Sequence, residues 1–187
     1  MPESEPAHES ENAAAPRRLF TALYPDGAAR AALVALRARW PGLPRRLRPP
    51  PEHLHLTLQF FGAVDARREA AWRAQLARLR FAPFDLELTR AELWHAPQGP
   101  LVVLRAAPST ALLGLHAATD ALARAAGLTP EARAWKPHLT LLRDASGLTP
   151  ARLAQPIRWR VQALALVWSE LAARPPRYHT LAQFAAA

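Results

Sequence analysis

The chain has 187 residues, half of them hydrophobic and 21% charged, with 24 Lys and Arg against 15 Asp and Glu. That length can bury a sizeable apolar interior, and no run of about 18 uncharged apolar residues exists to span a membrane. The absence of cysteine excludes disulfides, thiol catalysis and thiolate-held metal, and agrees with a reducing cytoplasm.

The charge is unevenly spread. Glu3, Glu5, Glu9 and Glu11 fall in a Pro- and Ala-rich start without Lys, Arg or an apolar h-region, so residues 1–16 are expected to form a disordered leader. The net charge of +9 therefore understates how basic residues 17–187 are, and that body is expected to fold as one unit. A basic body suits a polyanion such as RNA or DNA. Lys136 is the only lysine, however, so part of the arginine excess is compositional bias.

In chain order, RRLFTALY (17–24) alternates and stops at PDG, which predicts a strand and a turn. AARAALVALRARW (28–40) has apolar residues at helical spacing and ends at Pro41 and Gly42. A Pro- and Arg-rich loop carrying Arg45, Arg46 and Arg48 leads to HLHLTLQFFG (53–62), a predicted strand. There Leu54, Leu56 and Leu58 face one way and His53, His55 and Thr57 the other, with Phe60 and Phe61 read as core from either side.

A second amphipathic helix follows at 65–80. FDLELTRAELW (84–94) and GPLVVLRA (99–106) read as a hairpin, and 109–127 as a long helix with Ser109 as N-cap and Gly127 as C-cap. WKPHLTLLRD (135–144) is again strand-like, 149–155 a short turn or helix, 157–171 one long strand region, and RYHTLAQFAA (177–186) closes the chain. Helices alternating with hairpins predict an α+β fold with antiparallel or mixed sheets. Each HLTL strand follows a long helix, which suggests two lobes related by a pseudo-twofold axis.

The tetrapeptide HLTL stands at 55–58 and again at 138–141. Residues two apart on a strand project to one face, about 7 Å apart, so His55 with Thr57, and His138 with Thr140, face away from their leucines. Two such strands side by side would line a cleft with two imidazoles and two hydroxyls. That set suits phosphoryl transfer: histidine gives and takes protons near neutrality, and threonine donates hydrogen bonds to phosphate oxygens. His53 and His55 alone are a weak metal signal, so no metal or cofactor is expected.

HLTLQFFG and KPHLTLLRD resemble the paired H-x-T-x motifs of the two-histidine phosphoesterase superfamily. Within it, the chain resembles the bacterial RNA 2′,3′-cyclic phosphodiesterases, long called 2′-5′ RNA ligases, from about Arg18 to Phe184. The resemblance implies a bilobal α+β fold, with pseudo-twofold-related antiparallel sheets lining a central cleft and helices outside. It implies metal-independent hydrolysis of RNA 2′,3′-cyclic phosphate ends to 2′-phosphates, with reversible 2′-5′ joining also assigned to the family. His55 and His138 would be the acid–base pair, and Thr57, Thr140 and Arg143 the phosphate ligands. The strand parity of Arg143 points it away from the cleft unless a bulge or strand end re-aims it.

The arginines at 45, 46 and 48 and Tyr178 are further candidates for RNA contact, and Trp94 and Trp135 for flanking the cleft. The expected partner is RNA with a cyclic phosphate end, met by a cytoplasmic monomer. Two alternatives stand: a module that holds RNA ends without turnover, and an enzyme of the same fold acting on a small cyclic nucleotide.

Overall fold

The computed structural model describes residues 15–40, 43–150, 152–173 and 176–187. Most of the expected leader (1–14), the helix stop at Pro41 and Gly42, and Ala151 of the expected 149–155 turn lie outside them.

Eight strands and three helices follow in the order β1 (Arg17–Leu23), α1 (Gly27–Arg37), β2 (Leu56–Val64), α2 (Ala66–Leu76), β3 (Phe84–Trp94), β4 (Leu101–Ala106), α3 (Thr110–Ala125), β5 (His138–Leu142), β6 (Ile157–Val161), β7 (Ala163–Glu170) and β8 (Arg177–Ala185). Each helix starts where a short polar side chain accepts a backbone N–H that the first turn leaves unpaired. Asp26 accepts from Ala29, Asp65 from Arg68 and Ser109 from Leu112. Gly127, one place past the C-cap of α3, takes φ +74°, a conformation in which a β-carbon would be strained.

The strands form one antiparallel sheet in the order β6-β3-β4-β5-β2-β1-β7-β8. It divides into two four-strand halves, each with a copy of the repeated tetrapeptide on or at its innermost strand. The halves meet where Leu56 pairs with Leu139. The predicted long strand at 157–171 is in fact two strands broken at Gln162, one in each half. Laid flat, β6 and β7 would sit about 29 Å apart, six strand spacings. A single residue joins them, so the sheet must curl strongly.

The curl gives the sheet a helix-covered face and a cleft face. Leu56, Leu58, Leu139 and Leu141 are buried on the first, in one core with Leu33 of α1, Trp72 and Leu76 of α2, and Leu112 and Leu115 of α3. The helix α1 packs on β5 and β6 of one half, and α3 on β2 and β3, so α3 bridges the two halves.

One extra residue interrupts each innermost strand at the same place. Thr21 pairs with Gln59 but Ala22 with Thr57, which leaves Leu58 as a bulge in β2. Val102 pairs with Leu142 but Val103 with Thr140, which leaves Leu141 as a bulge in β5. Both are the last leucine of the tetrapeptide. Leu58 and Gln59 consequently both turn to the helix side, where the Gln59 amide donates to the His116 carbonyl, and Leu141 and Leu142 are both wholly buried. Beyond each bulge the alternation is reversed.

Candidate active site

The pairing of Leu56 with Leu139 sets the register of the site. It carries His55 opposite Thr140 and Thr57 opposite His138, all four on the face away from the leucines. Each histidine is held in the same way. Nδ1 of His55 lies 2.6 Å from the carbonyl oxygen of His53, and Nδ1 of His138 lies 2.7 Å from that of Lys136. A carbonyl can only accept, so each Nδ1 carries the proton and donates it, leaving Nε2 to take or give the reacting proton.

The surroundings of the two rings differ. His55 stacks on Phe20 at 4.8 Å, with Tyr24 at 5.6 Å and Tyr178 edge-on at 5.7 Å. Desolvation in this aromatic box, helped by the charge of Arg143 and opposed by the carbonyl bond to His53, lowers its pKa to about 4. His138 lies 4.4 Å from Trp94, whose indole donates to Glu92 at 2.7 Å. Burial lowers its pKa too, and Arg105 adds to the fall. Arg105 stands opposite His138 on β4, donates to the Pro137 carbonyl and to Glu92, and lies over the Trp94 ring.

The histidine shifts have a consequence for stability. A group whose folded pKa is depressed binds fewer protons in the native than in the unfolded chain below its ordinary value. Stability is therefore complete above about pH 6.5 and falls as pH drops toward 4, with His55 contributing a loss on the order of 3 kcal/mol. Urea unfolding at pH 7.5 and pH 4.5 checks this. The difference between the two should shrink in His55→Asn, and an unchanged difference would refute the assignment to His55.

Arg143 follows the Leu141 bulge and lies just beyond β5, with Asp144 at φ +47° turning the chain directly after it. Strand parity no longer applies there, and the Arg143 charge is felt by both His55 and His53. Its backbone N–H donates to Leu47 at 2.8 Å, which docks the arginine-rich loop against the end of β5. In that loop Arg45 opens a single 3₁₀ turn, Arg46 is exposed, and Arg48 is half-buried and donates to the Trp40 carbonyl at 2.9 Å. A second 3₁₀ turn holds His53, outside the predicted strand, with its ring stacked on Tyr178 at 4.2 Å.

Two further expectations change. Trp94 flanks the cleft, but Trp135 stacks on His116 of α3 at 4.0 Å and donates to the Thr57 carbonyl, bracing the strand from behind. Phe61 is core against Trp72, whereas Phe60 is 37% exposed. Sequence reading also missed Arg105, Glu92, Phe20 and Tyr24. The only sequence signal for the first two was a pair of charged residues in strands of a predicted hairpin. Among the described residues no group of three or more His, Cys, Asp or Glu is placed to hold a metal, and no helix is long and apolar enough to cross a membrane.

Residues 24–173 match the model of the 2′-5′ RNA ligase superfamily. The chain is 35% identical over 133 residues to an RNA 2′,3′-cyclic phosphodiesterase of Escherichia coli (strain K12), covering 70% of this chain and 74% of that one. It is 33% identical over 181 residues to the Thermus thermophilus protein of the same name, covering 89% of each. Among solved structures, E. coli LigT complexed with 3′-AMP superposes with a TM-score of 0.76 at 30% identity, over 91% of this chain and 98% of that one.

Proposed function

The chain belongs to the 2′-5′ RNA ligase superfamily, and from that premise we propose that it opens 2′,3′-cyclic phosphate ends of RNA to 2′-phosphates by paired histidine acid–base catalysis. The observation that carries this is the matched pair of imidazoles, each with Nδ1 tied to the carbonyl two residues earlier and each opposite the other copy's threonine.

In the reaction, one neutral imidazole takes a proton from water through Nε2 as the water oxygen bonds to phosphorus. The bond from phosphorus to the ribose 3′-oxygen breaks, and the other imidazole, protonated, gives that oxygen its proton. The phosphate stays on the 2′-oxygen. Both histidines are held below their ordinary pKa in the free protein, so the phosphate anion between them supplies the charge that keeps one protonated. Thr57 and Thr140 donate to the non-bridging oxygens and Arg143 pairs with them, where charge gathers as the bond to water forms. A 5′-hydroxyl in place of water gives a 2′-5′ link by the same two proton transfers. Arg46, exposed on the loop docked against the end of β5, is a candidate contact for the RNA backbone, and the neutral-to-charged cycling of the imidazoles needs no metal ion.

The test is incubation of an oligoribonucleotide ending in a 2′,3′-cyclic phosphate with the protein in EDTA, with the product's phosphate position identified. Conversion to a 2′-phosphate is the expected result. Binding without conversion would make the chain a holder of RNA ends. Turnover of cyclic mononucleotides alone would make the small-molecule reading correct.

A further inference from the structure

The two imidazoles are backed by different kinds of wall. The pairing of Leu23 with Leu56 puts Tyr24, just past β1, opposite His55, whereas the residue opposite His138 is Arg105 of β4. The wall around His55 is aromatic, built from Phe20, Tyr24 and Tyr178. The wall around His138 has one aromatic ring, Trp94, tied into a network of charges. Glu92 is the centre of that network. One of its carboxylate oxygens accepts from the Trp94 indole at 2.7 Å and from Arg105 at 3.3 Å, and the other accepts from Arg90 at 2.7 Å. Desolvation raises the Glu92 carboxyl, but these bonds and the Arg105 charge outweigh it and hold it at about 2, so the carboxylate is ionised near neutrality.

Arg105 uses its planar fork in two directions. Its Nη1 donates to Glu92, and its Nε donates to the Pro137 carbonyl at 3.3 Å, which also accepts the Ala106 N–H at 3.1 Å. The proline ring fixes φ at about −65°, so holding the Pro137 carbonyl also sets the direction of the Lys136 carbonyl before it. The Lys136 carbonyl is the group that takes the Nδ1 proton of His138. The Arg105 guanidinium also lies 5.4 Å from the centroid of Trp94, whose ring is 4.4 Å from that of His138. Arg105 therefore reaches the imidazole by two routes, through the backbone and through the indole.

We propose that Arg105 and Glu92 are positioning residues for the reaction: Arg105 sets the His138 ring through Pro137 and Trp94, and Glu92 holds Arg105 while balancing its charge. The balance matters because an uncompensated guanidinium beside His138 disfavours the protonated ring that one half of the reaction needs. The charged and titratable groups around His138 are Arg105 on β4, Glu92 on β3 with Arg90 bound to it, Arg133 ahead of β5 with Glu131 bound to it, and His55 across the seam. Of the side chains that act on its charge, Glu92 alone favours the protonated ring. The effect on turnover rests on the reaction proposed above, and the effect on the ring does not.

Titration of the His138 ring by NMR in the free protein, its signal assigned by its loss in His138→Ala, tests the clamp without substrate. Arg105→Met removes a positive neighbour and should raise the His138 pKa. Glu92→Gln keeps an acceptor for Trp94 but leaves Arg105 uncompensated, and should lower it. His55 should move less than His138 in both. Shifts of the same sign in the two variants, which loosened packing would give, or no shift in either, would overturn the clamp. Arg105→Lys separates charge from geometry, since an ammonium has no planar fork to join Glu92 to Pro137. In steady-state assays on cyclic-phosphate RNA, Arg105→Met and Arg105→Lys should both lower kcat by roughly 10- to 100-fold with KM little changed. Full kcat in Arg105→Lys would overturn the positioning role. Absence of turnover in the wild type, with the opposite NMR shifts intact, would sink the proposed reaction and leave the clamp standing.

Discussion

His55→Ala and His138→Ala are each expected to lower kcat by roughly 10²–10⁴, with KM changed far less. The imidazoles act on protons in flight rather than on the bound ester, so their loss falls on the transition state. The two do not act independently: water attack and departure of the 3′-oxygen belong to one displacement. The double variant should therefore be little slower than the slower single, not slower by the product of both. His138→Ala keeps Arg105, Glu92 and Trp94 in their own network, so its fold should survive. His55→Ala opens a void against Phe20, Tyr24 and Tyr178, and His55→Gln is the better-filled control. Single-turnover rates on a cyclic-phosphate RNA check this. Activity within threefold of wild type in either variant would end the paired-imidazole mechanism.

The second large effect is on stability and reaches the chemistry through geometry. Leu56→Ala is expected to cost about 2–5 kcal/mol, the usual range for truncating a wholly buried leucine. Leu33, equally buried in α1, should cost a similar amount. The two differ in where they lie. Leu56 pairs with Leu139 at the seam between the halves, and that pairing places each imidazole opposite the other copy's threonine. At a temperature where both variants are folded, Leu56→Ala should lose kcat and Leu33→Ala should keep it. Urea unfolding with parallel rate measurements distinguishes them. Full kcat in folded Leu56→Ala would show that the seam does not set the spacing of the imidazoles.

Much of the site was legible in the sequence because it depends on local alternation. The repeated HLTL states at once that the leucines go one way and the histidine and threonine the other. The helix starts were equally local, since Ser109 caps through a bond to a residue three places on. What failed to be legible was set at a distance. The break at Gln162 carries no turn residue, and its place is fixed by which half of the sheet each flanking strand joins. Arg105 and Trp94 are neighbours of His138 only because β4 pairs with β5 and β3 with β4.

Phe60 and Arg143 show the division most clearly. Alternation alone sends both the wrong way, one to a core and the other away from the cleft. The bulges reverse it, and in β2 the hydroxyl of Thr21, on a neighbouring strand, accepts the Gln59 N–H at the bulge. A bulge is an agreement between two strands about register, and no periodicity within either strand records it. The sequence by itself determined which residues are the candidates for the chemistry and that they come in two copies. The tertiary structure alone decided how the copies face each other and what surrounds each imidazole, because those depend on pairings between strands far apart in the chain.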